Sequence, residues 1–233
     1  MLKQFITAGC SFTAGSSNIT TALAQPTAWP HLVLPKLKPE IFVNLAIPGG
    51  GNFSIANNLV YFFQSKSYIN PLETQIIFNI SGLDRSDVMC PPDHPYANKN
   101  FSWTHDLGYG WLTSGGFTAG TDGPFSGLLE KNMGIDSIFT TNCLALTQAF
   151  TYLEHRGFDY AFMIMHDQVL SDSPKWFLQV LEERRSKWIQ FEQSKTMNGH
   201  CIINGLLDSD QFHPSMAGHS NIADHVVKFL NLS

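Results

Sequence analysis

Apolar residues fall along this chain in runs of two kinds, and their spacing predicts the elements. Residues 3–8 (Lys-Gln-Phe-Ile-Thr-Ala), 40–46 (Glu-Ile-Phe-Val-Asn-Leu-Ala), 74–81 and 159–165 are short runs rich in aromatic and β-branched residues, bounded by Gly, Pro or Asp, and read as strands. Residues 74–81 are the most apolar and are expected at the sheet centre. Residues 52–64 instead place Phe53, Ile55, Ala56, Leu59, Val60, Phe62 and Phe63 near a 3.6 period, which predicts a helix. Further helices are expected over 29–37, with Pro30 near the first turn, over 136–156, with Asp136 as N-cap and Gly157 as stop, and over 174–191. A fifth, short strand is expected over 200–204, and a last helix over 215–230 with Ile222, Val226, Phe229 and Leu230 facing inward.

From about 85 to 135 the pattern breaks into Gly, Pro, Asp, Ser and aromatic residues without a sustained period. Long connections in compact domains tend to be binding loops or lids, so residues 86–135 are expected to be an insertion over a site. Strands alternating with helices predict an α/β fold: three α/β/α layers around a five-stranded parallel sheet, with the insertion after strand three. No linker or repeat interrupts residues 1–233, which are expected to form a single domain.

Hydrophobic residues make up 43% of the 233 and charged residues 14%, enough apolar surface to exclude a disordered chain. The formal net charge of −5, with no basic run, gives no electrostatic footprint for nucleic acid. No apolar stretch approaches the ~18 residues of a membrane span. The apolar run at the N-terminus is too short for a signal peptide, so a cytoplasmic location is expected. The 4 cysteines, Cys10, Cys90, Cys143 and Cys201, show no paired spacing, and neither a metal site, a disulfide framework nor a cofactor is expected. The triplet Asn52-Phe53-Ser54 is a glycosylation acceptor only in a secreted protein.

In a parallel sheet, ligands bind beyond the carboxyl ends of the strands. The residues there are Gly9-Cys10-Ser11-Phe12-Thr13, Pro48-Gly49-Gly50-Gly51-Asn52, Ser81-Gly82-Leu83-Asp84-Arg85, His166-Asp167 and the segment reaching Asp210-Gln211-Phe212-His213-Pro214. A serine needs a base to take its proton, and the base needs an acceptor to fix its tautomer. Asp210 and His213, three residues apart, are placed to act from one turn as orienter and base for Ser11. Glycines after strand two leave N–H groups open to a substrate, as an oxyanion hole requires. Cys10 is a rival nucleophile, but neighbouring residues leaving a strand point in opposite directions, so only one of the two faces the site. His219 and His225, six residues apart on one helix, cannot share a metal-binding face. Asp93, His94, His105 and Asp106 in the insertion read as loop polarity, and Asp84 and Asp87 beside Arg85 as local ion-pair or loop contacts.

These blocks resemble those of the SGNH, or GDSL, hydrolases. Gly9-Cys10-Ser11-Phe12-Thr13 is similar to the family's Gly-Asp-Ser block, Asn44-Leu45-Ala46-Ile47-Pro48-Gly49 to its second block, and Asp210-Gln211-Phe212-His213-Pro214 to its last. The resemblance implies a flavodoxin-like fold, a triad of Ser11, His213 and Asp210, and oxyanion N–H groups from Ser11 and Gly49. The third block departs from the family's Gly-x-Asn-Asp: the chain reads Ser81-Gly82-Leu83-Asp84-Arg85, with Asp84 where the oxyanion-donating Asn would stand. A carboxylate cannot donate, whereas Arg85 and Ser81 can, so Arg85 is the expected third oxyanion donor, with Ser81 and Asp84 as substrate contacts. Among the insertion's aromatics, Trp103 and Trp111 are the candidates for stacking on a sugar face or gripping an acyl chain. The implied activity is hydrolysis of an ester, as an acyl or acetyl group on a carbohydrate or small molecule. The alternatives are a thioesterase, a lysophospholipase, or a binding or assembly protein that has lost turnover with the missing Asn.

Overall fold

Strand residues of opposite parity feed two separate cores, which is why the sheet carries helices on both faces. A computed structural model of the protein describes residues 2–15, 27–66, 68–91, 110–114 and 134–231. Its main sheet is parallel, in the order β2-β1-β3-β6, built from β1 (Gln4–Ala8), β2 (Ile41–Asn44), β3 (Thr74–Ile80) and β6 (Asp159–Ile164). Register aligns Ile6 with Val43 on one side and Ile76 on the other, and Phe78 with Phe162. Ile6, Ala8, Ile76, Phe78, Ile80, Tyr160, Phe162 and Ile164 point to one face, where α3 (Asn52–Ser65), α4 (Ile135–His155) and α6 (Lys175–Glu183) cover them. Phe5, Ile77, Ala161 and Met163 point the other way, against α2 (Trp29–Leu37), α7 (Met197–Ile203) and α8 (Met216–Phe229). The period of two in a strand thus separates the layers.

Among the described residues four parallel strands form the main sheet, not five. Residues 200–204, expected as the fifth strand, lie mostly in α7. The run Cys201-Ile202-Ile203 is too short to decide its own period; Met197 and Cys201, four apart, are buried, while Ile202 and Ile203 are 58% and 55% exposed. That is a helical face, started by Thr196, whose hydroxyl accepts from the Gly199 N–H. The helix expected over 174–191 also stops early. After α6 the chain passes through a 3₁₀ turn, Arg185–Lys187, so that Trp188 bridges in parallel to Phe162 at the edge of β6. Gly134, not Asp136, caps α4, with Asp136 in the first turn; Gly157 ends the helix at φ +73° as expected.

Within the insertion the described residues form an antiparallel hairpin, β4 (Ser86–Cys90) with β5 (Gly110–Ser114), pairing Asp87 with Thr113 and Met89 with Trp111. α1 (Ser11–Ala14) is a single turn directly after β1, and α5 (Gln168–Asp172) a short helix after β6. Among the described residues no helix is long and apolar enough to cross a membrane.

An aromatic cluster holds the α4 face to the sheet: Phe150 packs against Phe78, Tyr160 and Phe162 at centroid distances of 5.4, 5.8 and 5.2 Å. Phe150→Ala removes the shared member and leaves a cavity in a fully buried site, with an expected loss of about 4 kcal/mol. Urea unfolding checks this; a loss under about 1 kcal/mol would mean the three sheet rings hold the layer without it.

Candidate active site

β1 delivers the chain into α1 with Ser11 as its first helical residue, and Cys10 turned the other way. Cys10 is fully buried, with its Sγ 3.3 Å from Met165 Sδ in the second core, so the thiol is a packing group, and Ser11, also buried, is the residue that faces His213. Ser11 Oγ lies 2.9 Å from His213 Nε2, and His213 Nδ1 lies 2.6 Å from Asp210 Oδ2. An ionised carboxylate only accepts, so the ring proton sits on Nδ1 and Nε2 is left to accept from the serine hydroxyl.

The loop carrying the histidine is fixed by its own backbone. Asp210 Oδ1 accepts from the N–H groups of Phe212 and His213 at 2.9 Å each, which leaves Oδ2 for the ring. The Asp208 N–H donates to the His213 carbonyl and the Gln211 N–H to that of Asp208, with Gln211 in the left-handed region at φ +58°. Phe12, fully buried, meets Phe212 edge-on at 5.5 Å and the His213 ring at 5.4 Å. The residue after the candidate nucleophile therefore seats the candidate base. Burial acts to raise the Asp210 carboxyl, but the N–H groups of His213 and Phe212 and the His213 ring outweigh it and hold it below the usual carboxylate value.

After β2 the chain continues pairing with β1 through Leu45 and Ile47, then turns. The Gly50 N–H donates to the Ile47 carbonyl at 2.8 Å, so Pro48 and Gly49 are the central residues of a β-turn. Gly49 has φ +78°, the positive value that the third residue of a type II turn requires and that a side chain resists. Among the described residues, neither the Ser11 N–H nor the Gly49 N–H donates to a backbone carbonyl. Asn44, which the second block supplied, ties this turn to α1: its Oδ1 accepts from Thr7 Oγ1 and the Ala46 N–H, and its Nδ2 donates to the Thr13 carbonyl.

The third block is held by two asparagines that sequence reasoning missed. Asn52 Oδ1 accepts from the Ser81 N–H at 2.7 Å while Nδ2 donates to the carbonyls of Ser81 and Gly82. Asn142 Nδ2 donates to the carbonyls of Leu83, Arg85 and Ile138, and its Oδ1 accepts from the Phe53 N–H. The available signal for Asn142 was a polar residue on the stripe of Ile138, Leu146 and Phe150; the triplet at Asn52 proves to be a buried helix start. Ser81 is fully buried and Asp84 half-buried, with no hydrogen-bond partner among the described residues for Ser81 Oγ or Asp84 Oδ1.

Arg85 is buried, and its Nη1 donates to the Gly50 carbonyl at 3.0 Å. Asp87, read from sequence as a local ion-pair or loop contact, accepts from the N–H groups of Gly51 and Ser54 and from Thr113 Oγ1. Burial pushes its carboxyl up, and those donors oppose the rise. Trp111, expected to face substrate, is instead 1% exposed: its Nε1 donates to Asn58 Oδ1 and its ring meets Phe53 edge-on, packing the hairpin onto α3. Trp103, Asp93, His94, His105 and Asp106 lie outside the described residues. Among the described residues no group of three His, Cys, Asp or Glu could hold a metal ion.

No protein-family model matches the sequence, and no curated protein matches it. Solved structures do. A lipolytic protein of the G-D-S-L family from Veillonella parvula is 13% identical with a TM-score of 0.54, covering 97% of each chain. A putative lipolytic G-D-S-L protein from Desulfitobacterium hafniense is 10% identical with a TM-score of 0.52, covering 97% of this chain and 99% of its own. The esterase EstA from Pseudoalteromonas sp., inhibited by monoethylphosphonate, is 14% identical with a TM-score of 0.51, covering 98% and 97%.

His219, one turn into α8, is buried with Nδ1 unpartnered among the described residues. Burial and the neighbouring charge of His213 lower it from the ordinary 6.5 to about 4, against the pull of Asp208. A folded value below the unfolded one means that the unfolded chain takes up a proton first, so stability falls as pH drops from about 6.5 to about 4, by up to ~1.4 kcal/mol per unit. His219→Gln is expected to remove about 2 kcal/mol of the stability difference between pH 7 and pH 5; parallel urea midpoints for both proteins would rule this out. The comparisons and the sheet topology agree on one result: across nearly its whole length, this chain has the α/β fold of the SGNH/GDSL hydrolases.

Proposed function

We propose that the protein is a serine hydrolase that cleaves a carboxylic ester through an acyl-enzyme on Ser11. The observation that carries this reading is the continuous chain Ser11 Oγ, His213 Nε2, His213 Nδ1, Asp210 Oδ2, with separations of 2.9 and 2.6 Å between residues from opposite ends of the sequence. His213 takes the hydroxyl proton as Ser11 attacks the carbonyl; Asp210, held ionised, keeps the ring in the tautomer that can accept. The Ser11 and Gly49 N–H groups are assigned to the oxyanion. Collapse of the tetrahedral intermediate breaks the ester C–O bond, and His213 returns the proton to the leaving alcohol. Water, deprotonated by the same imidazole, then releases the acid and frees Ser11.

The substrate class is an acyl or acetyl ester of a carbohydrate or small molecule. A panel of p-nitrophenyl esters against O-acetylated sugars separates this from a thioesterase or lysophospholipase, which favour long acyl chains or thioesters. The absent third-block Asn favours one further reading, a binding or assembly protein without turnover.

A fluorophosphonate probe distinguishes the two, phosphonates being serine-directed and a phosphonate being the inhibitor of the Pseudoalteromonas esterase. Wild type is expected to label stoichiometrically and Ser11→Ala not at all; a folded wild type that stays unlabelled supports the binder. Ester hydrolysis is expected to fall on acidification, because an imidazolium cannot accept the serine proton. A flat profile removes His213 as the base.

A further inference from the structure

Arg85 and Asp87 grip the two ends of one peptide group. The Gly50 carbonyl and the Gly51 N–H belong to the same planar unit and point in opposite directions. Arg85 Nη1 donates to the first at 3.0 Å, and Asp87 Oδ1 accepts from the second at 3.0 Å. The fit leaves no room: a Cβ on Gly51 would stand 2.6 Å from Asp87 Oδ2 and 2.9 Å from Arg85 Cβ. Asp87 is itself held from both sides, by the Ser54 N–H of α3 at 2.8 Å and by Thr113 Oγ1 of β5 at 2.6 Å. Arg85 is anchored through its own carbonyl by Asn142 at 2.7 Å. A peptide plane fixed at both ends cannot rotate, and this one begins a single residue after Gly49.

We infer that Arg85 and Asp87 are positioning residues that lock the Gly50–Gly51 peptide, and through it aim the Gly49 N–H at the oxyanion, in place of a direct donor from the third block. The inference rests on the ester-hydrolase reading above. It gives the hairpin a function: β4 and β5 supply Asp87 and Thr113, so the insertion braces the oxyanion turn from behind. It also explains why an arginine and an aspartate alternate here. Arg85 directly precedes β4 and Asp87 lies on it, and a peptide group presents one acceptor and one donor for the two side chains.

The test is kinetic and structural together, with p-nitrophenyl acetate as substrate. Arg85→Ala is expected to lower kcat by about 10²-fold and Asp87→Asn by at least about tenfold, with KM within about threefold in each, because the loss lies in the transition state. Since the two residues act on one peptide, the double variant loses no more than about threefold beyond Arg85→Ala. Arg85 lines a cavity of about 80 Å³ with Phe53, Ile138 and Asn142, and added guanidinium is expected to restore at least about tenfold of the Arg85→Ala activity, with Arg85→Lys intermediate. Amide exchange reports the lock without turnover: the Gly51 N–H is protected in wild type and exposed in Asp87→Ala, which leaves it no side-chain acceptor. Wild type that turns over while Arg85→Ala keeps its kcat, or losses that add in full in the double variant, overturns the lock alone. Wild type that neither turns over nor labels at Ser11 instead removes the hydrolase reading and, with it, any catalytic role for the lock, even if Gly51 is protected.

Discussion

Where a parallel sheet ends, the backbone leaves its ladder but does not yet reach water, and every N–H and C=O in the departing loops needs a partner. In this protein short amide and carboxylate side chains meet that need by standing in for backbone. Asn44 joins the glycine turn to the Ser11 turn, Asn52 mimics a strand partner for Ser81 and Gly82, Asn142 collects the carbonyls of Leu83 and Arg85, and Asp87 caps the N–H groups that open α3. Removing any one of them would strand buried polar groups at about 1–3 kcal/mol each. The carboxyl edge is therefore rigid for the same reason that it is stable.

Rigidity at that edge bears directly on the proposed chemistry. Stabilising a developing oxyanion works when donors already point to where charge will appear, because no reorganisation is then needed during reaction. The Asp210–His213 loop shows the same economy: one carboxylate shapes the loop with Oδ1 and orients the imidazole with Oδ2, while Phe12 and Phe212 enclose the ring. Where the third block of the SGNH hydrolases that this sequence resembles has an asparagine, this chain has Asp84, followed by a buried arginine whose described bond runs to a backbone carbonyl.

Much of this was legible in the residues. Strands over 3–8, 40–46, 74–81 and 159–165 and the helices over 52–64 and 215–230 appear within a few positions of their expected bounds, since their periods are long enough to be unambiguous. Three readings failed for identifiable reasons. The Cys-Ile-Ile run at 201–203 has β propensity, but the Thr196 cap and burial at Met197 and Cys201 made it helical. The end of the 174–191 helix was overridden by pairing of Trp188 with the sheet edge. Trp111 carried the marks of a ligand-stacking ring, yet it fills the space between the hairpin and α3, a choice that depends on a strand pairing with no local signal.

The sequence by itself determined which residues are chemically able to act. A serine after the first strand, an Asp-x-x-His near the end and a Pro-Gly turn after the second strand are local patterns, and local patterns survive being read one segment at a time. Only the tertiary structure decided how Arg85 and Asp87 are used. Their partners, the Gly50 carbonyl and the Gly51 N–H, are backbone atoms about 35 residues away, and backbone atoms are the same in every sequence. Such pairings leave no residue-type signature, so they become visible only when the strands have been set side by side.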